Sequence, residues 1–155
     1  MTVLFLDSSA LVKRYVTEIG TAWIGGAIDP AAGNRILVAE ITKVEVAAAL
    51  AARHRAPGGM SREARDNAVA LCRRHFTTEY EVTPISRAIL DRAVDLTQRH
   101  RLRGYDAVQL ATALVAGDAL LAAGQPGLTF VAADGDLVAA ARLEGLDADD
   151  PNLHR

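Results

Sequence analysis

The chain has one cysteine, Cys72, in 155 residues. An internal disulfide is therefore excluded, and a lone thiol fits a reducing cytosol. Aromatic residues make up only 5%, and the abundance of Ala in their place suits closely packed helices. No apolar run approaches the ~20 residues that a membrane span needs. Val3–Leu6 is too short for the apolar core of a secretory signal and has no basic segment before it. The expectation is a cytoplasmic protein with no membrane partner. The formal net charge of −2 is far from the global basicity of many nucleic-acid binders, so any basic footprint must be local. There is no repeat, no low-complexity tract and no linker. Half of the residues are apolar, enough for one domain over 1–155 with a real core and a tail loosely ordered from about Asp147.

What is present is an alternation of short apolar runs and helical patterns. Thr2–Leu6, Arg35–Ala39, Tyr80–Thr83 and Leu128–Val131 read as strands. Between them the pattern predicts helices over Ser8–Val16, Thr21–Ile28 and Thr42–Arg55. Two more are expected from the Ser61 and Ser86 caps, a long one over Asp106–Leu121, and a last one over Gly135–Leu143. A final short strand is possible by pattern. Strands alternating with helices imply an α/β fold, a mostly parallel sheet of four to five strands with helices on both faces.

Four carboxylates stand where an apolar run gives way to a helix: Asp7, Glu45, Asp106 and Asp134. Each has an ordinary structural explanation. Asp7 and Asp134 can cap the helices that follow them. Thr42-Lys43-Val44-Glu45 and the stretch from Asp106 to Gln109 have capping-box spacing. Taken together they suggest more, because the C-terminal ends of parallel strands share one edge, and ligands bind in the crevice there. Acids gathered in such a crevice repel one another unless a cation lies between them. Oxygen ligands of this kind suit Mg²⁺ or Mn²⁺, which lower the pKa of a coordinated water and offset phosphodiester charge. Asp136 could add a further ligand. The histidines His54, His75, His100 and His154 have no consistent position near the acids and are expected at the surface.

At these residues the chain resembles the PIN-domain ribonucleases, and in particular the VapC toxins of toxin–antitoxin pairs. The opening Phe5-Leu6-Asp7-Ser8-Ser9-Ala10-Leu11-Val12-Lys13-Arg14-Tyr15 is similar to the family's first motif. Glu45 matches the second acid. Tyr105-Asp106-Ala107-Val108-Gln109-Leu110-Ala111-Thr112-Ala113 matches the third motif, and Phe130-Val131-Ala132-Ala133-Asp134 with Glu144-Gly145-Leu146 the fourth. The resemblance departs from the family pattern at Ala132, where Thr or Ser often stands.

The resemblance implies a three-layer α/β/α sandwich and an Mg²⁺- or Mn²⁺-dependent endoribonuclease. Its hydrolysis would leave a 5′ phosphate and inhibit translation, and a cognate VapB-type antitoxin would silence it. Asp7, Glu45, Asp106 and Asp134 are the expected catalytic and metal-binding residues. Ser8, Ser9, Lys13, Arg14 and Arg103 are expected to bind the RNA substrate. Arg73, Arg74, Arg99 and Arg101 are further basic candidates. Tyr15 and Tyr105 are placed in the core in preference to a base-stacking role. Trp23 and its helix are expected to form a groove for the antitoxin, and the Ala-rich helix from Thr42 a homodimer contact. Two rivals remain. One is a catalytically inactive PIN-like RNA- or protein-binding module. The other is a receiver-like Mg²⁺-binding signalling domain, disfavoured because Asp7 has no acidic neighbour and no lysine follows Lys43.

Overall fold

The computed structural model describes residues 1–154. Five parallel strands form one sheet: β1 (Val3–Leu6), β2 (Arg35–Ala39), β3 (Glu81–Thr83), β4 (Leu128–Val131) and β5 (Asp147–Asp149), in the order β3-β2-β1-β4-β5. The chain builds outward from β1 to β3 on one side and then crosses back to place β4 on the other. The order therefore reverses at β1, and the crevice beyond β1 and β4 is the switch point at which α/β sheets bind ligands.

The apolar strands are buried on both faces, and their alternation divides the core in two. Val3, Phe5, Leu37, Leu128 and Phe130 face α5 (Arg87–Arg99), α6 (Gly104–Ala122) and α7 (Gly135–Leu143). Phe5 and Phe130 stack with ring centroids 5.8 Å apart. Leu4, Leu6, Ile36, Val38 and Val131 face α1 (Ser8–Leu11), α2 (Thr21–Ile28), α3 (Thr42–Arg55) and α4 (Arg62–Thr78). This is the expected three-layer arrangement. The edge strands are short and carry Glu81, Asp147 and Asp149, a composition that discourages edge-to-edge pairing.

Several helix starts follow local chemistry. Ser61 accepts from the Ala64 N–H at 3.1 Å and Ser86 from the Ile89 N–H at 3.2 Å, as N-caps do. Two expectations are corrected. The helix expected over Ser8–Val16 ends at Leu11 and continues as a 3₁₀ turn, Val12–Arg14. There Lys13 is buried, with Nζ donating to Glu18 at 2.9 Å and to the Ile19 carbonyl at 2.8 Å, partners that a continuous surface helix would not offer. The tail is also more ordered than expected. Asp147–Asp149 pairs with β4, a 3₁₀ turn follows at Pro151–Leu153, and the His154 ring stacks on Trp23 at 4.5 Å.

That docking depends on Gly20, which precedes α2 at φ 85°. A Cβ there would lie 2.7 Å from the Pro151 carbonyl oxygen. Gly20→Ala should therefore lower stability by at least the ~1–2 kcal/mol of a left-handed residue, with a lower urea midpoint. Gly26→Ala in α2, where an added Cβ meets nothing within 4 Å, should instead raise it by up to ~1 kcal/mol. Equal effects from the two variants would contradict the proposed contact.

Candidate active site

Asp7 leaves β1 at the switch point. Its backbone N–H donates to the Val131 carbonyl at 3.0 Å, extending the β1–β4 ladder by one residue. Its Oδ1 accepts from the Ala10 N–H at 2.9 Å and from the Ser9 hydroxyl at 2.7 Å, so the side chain caps α1 and is only 2% exposed. The same Ser9 oxygen accepts from the Ala133 N–H at 2.8 Å. One hydroxyl thus joins the ends of β1 and β4, while Ala132 presents only a buried methyl.

Glu45 lies in the first turn of α3, but the capping box expected from its spacing does not form. The helix has Ile41 at its N-cap, and no side chain caps it. Thr42 is fully buried and accepts from Gln109 Nε2 at 2.8 Å. The same Nε2 donates to Glu45 Oε1 at 2.7 Å, and the Ser8 hydroxyl donates to Oε2 at 3.2 Å. Burial of Thr42 against α6 outcompetes a local cap and leaves the Glu45 carboxylate turned toward Ser8. Gln109 has a role that its sequence context does not give. It reads as the far end of a capping-box spacing with Asp106, yet it sets the position of an acid on another helix.

Asp106 is likewise not a cap. α6 begins at Gly104 with Arg103 at the N-cap, placing Asp106 on the first turn. Asp134 does cap α7, its Oδ1 accepting from the N–H groups of Asp136 at 2.9 Å and Leu137 at 3.1 Å. Asp106, Asp134 and Asp136 line one cavity of about 470 Å³ with Arg101, Leu102 and Arg103. Asp136 is exposed at its edge. Neither arginine makes an ion pair among the described residues.

The acids influence one another electrostatically. Burial pushes the Asp7 carboxyl up to about 7, against the Ser9 and Ala10 hydrogen bonds, with repulsion from Glu45 and Asp106 adding to it. Burial also raises Glu45, opposed by Gln109 and Ser8 and reinforced by Asp106. Asp106 is raised by burial and by Asp134, with Arg103 opposing. No three His, Cys, Asp or Glu side chains among the described residues form a ready-made metal cage. The donor set nevertheless fits a hard divalent cation that retains several waters. All its groups are carboxylate oxygens, and they are poorly solvated and repel one another, with Arg103 the cation that opposes this at Asp106.

Other expected site residues have different surroundings. Lys13 is committed to Glu18 and Ile19 as described. Arg14 pairs with Glu79 at 2.7 Å, donates to the Tyr80 hydroxyl at 2.6 Å and lies over the Tyr80 ring. Tyr15 is half-buried, hydrogen-bonded to Tyr80 at 2.7 Å and to His75 at 2.9 Å. His75 is itself buried, a correction to its expected surface position, because it fills the space between Tyr15 and Tyr80 with its nitrogen partnered. His100 is half-buried on Glu144 at 2.7 Å. Tyr105, expected in the core, is 67% exposed, since it opens α6 on the side away from the sheet. Ala48 and Ala52 are exposed on α3. The groove beside Trp23 is partly occupied by the chain's own His154.

The raised Asp7 carboxyl gives stability a pH dependence. Folded, it keeps its proton up to about 7, whereas the ordinary value is 3.8. Stability from this group therefore falls as pH rises between those values, and the full charging penalty remains above them. Asp7→Asn keeps an acceptor for Ser9 and Ala10. In EDTA it should raise Tm on the order of 5 °C at about pH 8, and by progressively less toward about pH 4, in scanning calorimetry. An unchanged Tm at the higher pH would contradict this origin.

No curated protein sequence matches the chain. Among solved structures its fold is similar to a toxin–antitoxin complex from Klebsiella pneumoniae (TM-score 0.60, 18% identity, covering 96% of this chain and 97% of that one). It is also similar to VapBC2 from Rickettsia felis bound to a promoter DNA fragment (0.63, 12%, 96% and 98%). A third is VapC20 from Mycobacterium tuberculosis, described as a sarcin–ricin loop cleaving toxin (0.59, 20%, 90% and 95%). The family profile of the PIN domain matches residues 4–143. That match runs through all four acids at the sheet edge, and the chain belongs to the PIN domain family.

Proposed function

We propose that this chain is an endoribonuclease toxin that cleaves RNA with the help of Mg²⁺ or Mn²⁺. The observation that carries the reading is the convergence of Asp7, Glu45, Asp106 and Asp134, from four separate segments, on the sheet's switch point: Ser8, next to Asp7, and Gln109, on the Asp106 helix, both bond Glu45, and Asp106 and Asp134 line one cavity. Asp7 and Glu45 are the ligands most firmly held, by Ser9, Ala10, Ser8 and Gln109. Asp106 and Asp134 line the open side, and Asp136 extends it. A divalent ion, when bound, supplies Lewis acidity toward water and the scissile phosphate. Arg101 and Arg103, beside those acids, draw the phosphodiester backbone in against the negative field of the site. Lys13 and Arg14, held by their own partners, have no part in that contact. Ser8 and Ser9 act through the acids they orient.

The partners follow from the same reading. Fold neighbours solved as toxin–antitoxin complexes support an antitoxin partner, proposed to be VapB-type; inhibition of translation as the toxic outcome and a homodimer as the assembly are proposed on the family resemblance alone. No described helix is long and apolar enough to cross a membrane.

Purified protein incubated with RNA should cleave it in Mg²⁺ or Mn²⁺ and stop in EDTA. Asp106→Asn should reduce the rate by at least ~100-fold, the scale of losing a preorganised electrostatic group, with an unchanged circular dichroism spectrum. Full activity in that variant, or in EDTA, would sink the assignment.

A further inference from the structure

The two flanks of the acidic row differ. On the Asp106–Asp134 side the cavity is polar and carries Arg101 and Arg103. On the Glu45 side lies a second recess of about 410 Å³, walled by Ile41, Val44, Ala48 and Tyr105, with Glu45 its one charged lining residue. The recess is built on the two helices that supply acids. Val44, Glu45 and Ala48 come from α3, and Tyr105 immediately precedes Asp106 on α6.

Two of its walls are unusually open to water. Val44 and Tyr105 are each 67% exposed. Among the chain's Phe, Tyr and Trp residues Tyr105 alone is exposed, the rest being buried or half-buried. Grouped apolar exposure of this kind marks a binding surface more often than chance. The recess adjoins Glu45, so whatever occupies it lies beside one of the four acids.

We infer that this recess is a nucleobase subsite, in which Tyr105 stacks on an unpaired base next to the scissile phosphate. The charge pattern favours a base over other parts of the substrate. No cation is among the lining residues, so nothing in the recess itself attracts a phosphate, while its apolar walls suit an uncharged ring. The arginines on the opposite flank take the adjoining phosphates. The nucleotide is thereby oriented across the acids, base toward α3 and backbone toward Arg101 and Arg103. The inference rests on the ribonuclease reading above and adds Tyr105 to it as a substrate-binding residue.

The test uses the full chain and a short unstructured oligoribonucleotide, intact or with single abasic nucleotides near the cleaved bond. Tyr105→Ala should lower kcat/KM on the intact strand on the order of 10–100-fold, the scale of one base–aromatic stack. Tyr105→Phe should stay close to wild type. One abasic position should cost the wild type as much as Tyr105→Ala does, and cost Tyr105→Ala nothing further. Additive losses at every abasic position would overturn the inference. So would a Tyr105→Ala defect that tracks a dimer-to-monomer change in sedimentation and recovers at higher protein concentration, since a second copy would then occupy the recess. If the wild type cleaves nothing in Mg²⁺ or Mn²⁺, the nuclease reading fails, and fluorescence of a 2-aminopurine-labelled strand decides the subsite separately. Quenching that Tyr105→Ala abolishes supports it, and no quenching overturns it.

Discussion

Carboxylates that share a crevice repel one another, and a protein that gathers them must fix each with something stronger than that repulsion. Here the fixing is done by hydroxyls, amides and backbone N–H groups. Ser9 and Ala10 hold Asp7, Ser8 and Gln109 hold Glu45, and the first turn of α7 holds Asp134. Each anchor comes from a helix packed on the sheet, so the acids stay close only because both core layers are in place. The burial that makes the core also raises the carboxyls. Under the proposed function, fold and cation affinity would be two results of one arrangement: the scaffold supplies close, poorly solvated carboxylates, and a divalent ion would relieve their repulsion.

Much of this architecture could be read before the coordinates. Arg35–Ala39 and Leu128–Val131 are apolar runs with clear turn signals, and their bounds coincide with β2 and β4. Thr42–Arg55 runs to the Pro57-Gly58-Gly59 break and coincides with α3. These elements are governed by local pattern. The departures occur where a side chain finds a partner that helical periodicity does not predict. Lys13 leaves the helix surface because Glu18 and the Ile19 carbonyl, just beyond the shortened helix, satisfy its ammonium inside. Thr42 gives up its capping role because Gln109, 67 residues away in sequence, meets it in the core. His75 is buried because Tyr15 and Tyr80 close around it. No window of neighbouring residues contains the Thr42–Gln109 or Tyr15–His75 contacts.

The candidate site shows the same division. The acids stand out in sequence because strand ends are recognisable and parallel strands end along one edge. Their supports stand out only in other roles. In sequence Gln109 reads as a capping-box partner of Asp106, and Ser8 and Ser9 as RNA contacts; in the structure they hold Glu45 and Asp7. The absent hydroxyl at Ala132 looks like a weakness in sequence. In space, the Ser9 oxygen makes the tie between the two strand ends from the other side.

That tie sets limits on how such a centre can be controlled. Asp7 belongs to the central strand, flanked by β2 and β4, and its amide and side chain are both bound into the β1–β4 junction. Local fluctuations that loosen a surface loop leave it in place, and pulling it out of line means separating the middle of the sheet, the costliest opening the molecule has. A regulator therefore gains little by warping the centre. Blocking access to it, or lending a positive charge where the ion would sit, requires no deformation of the sheet.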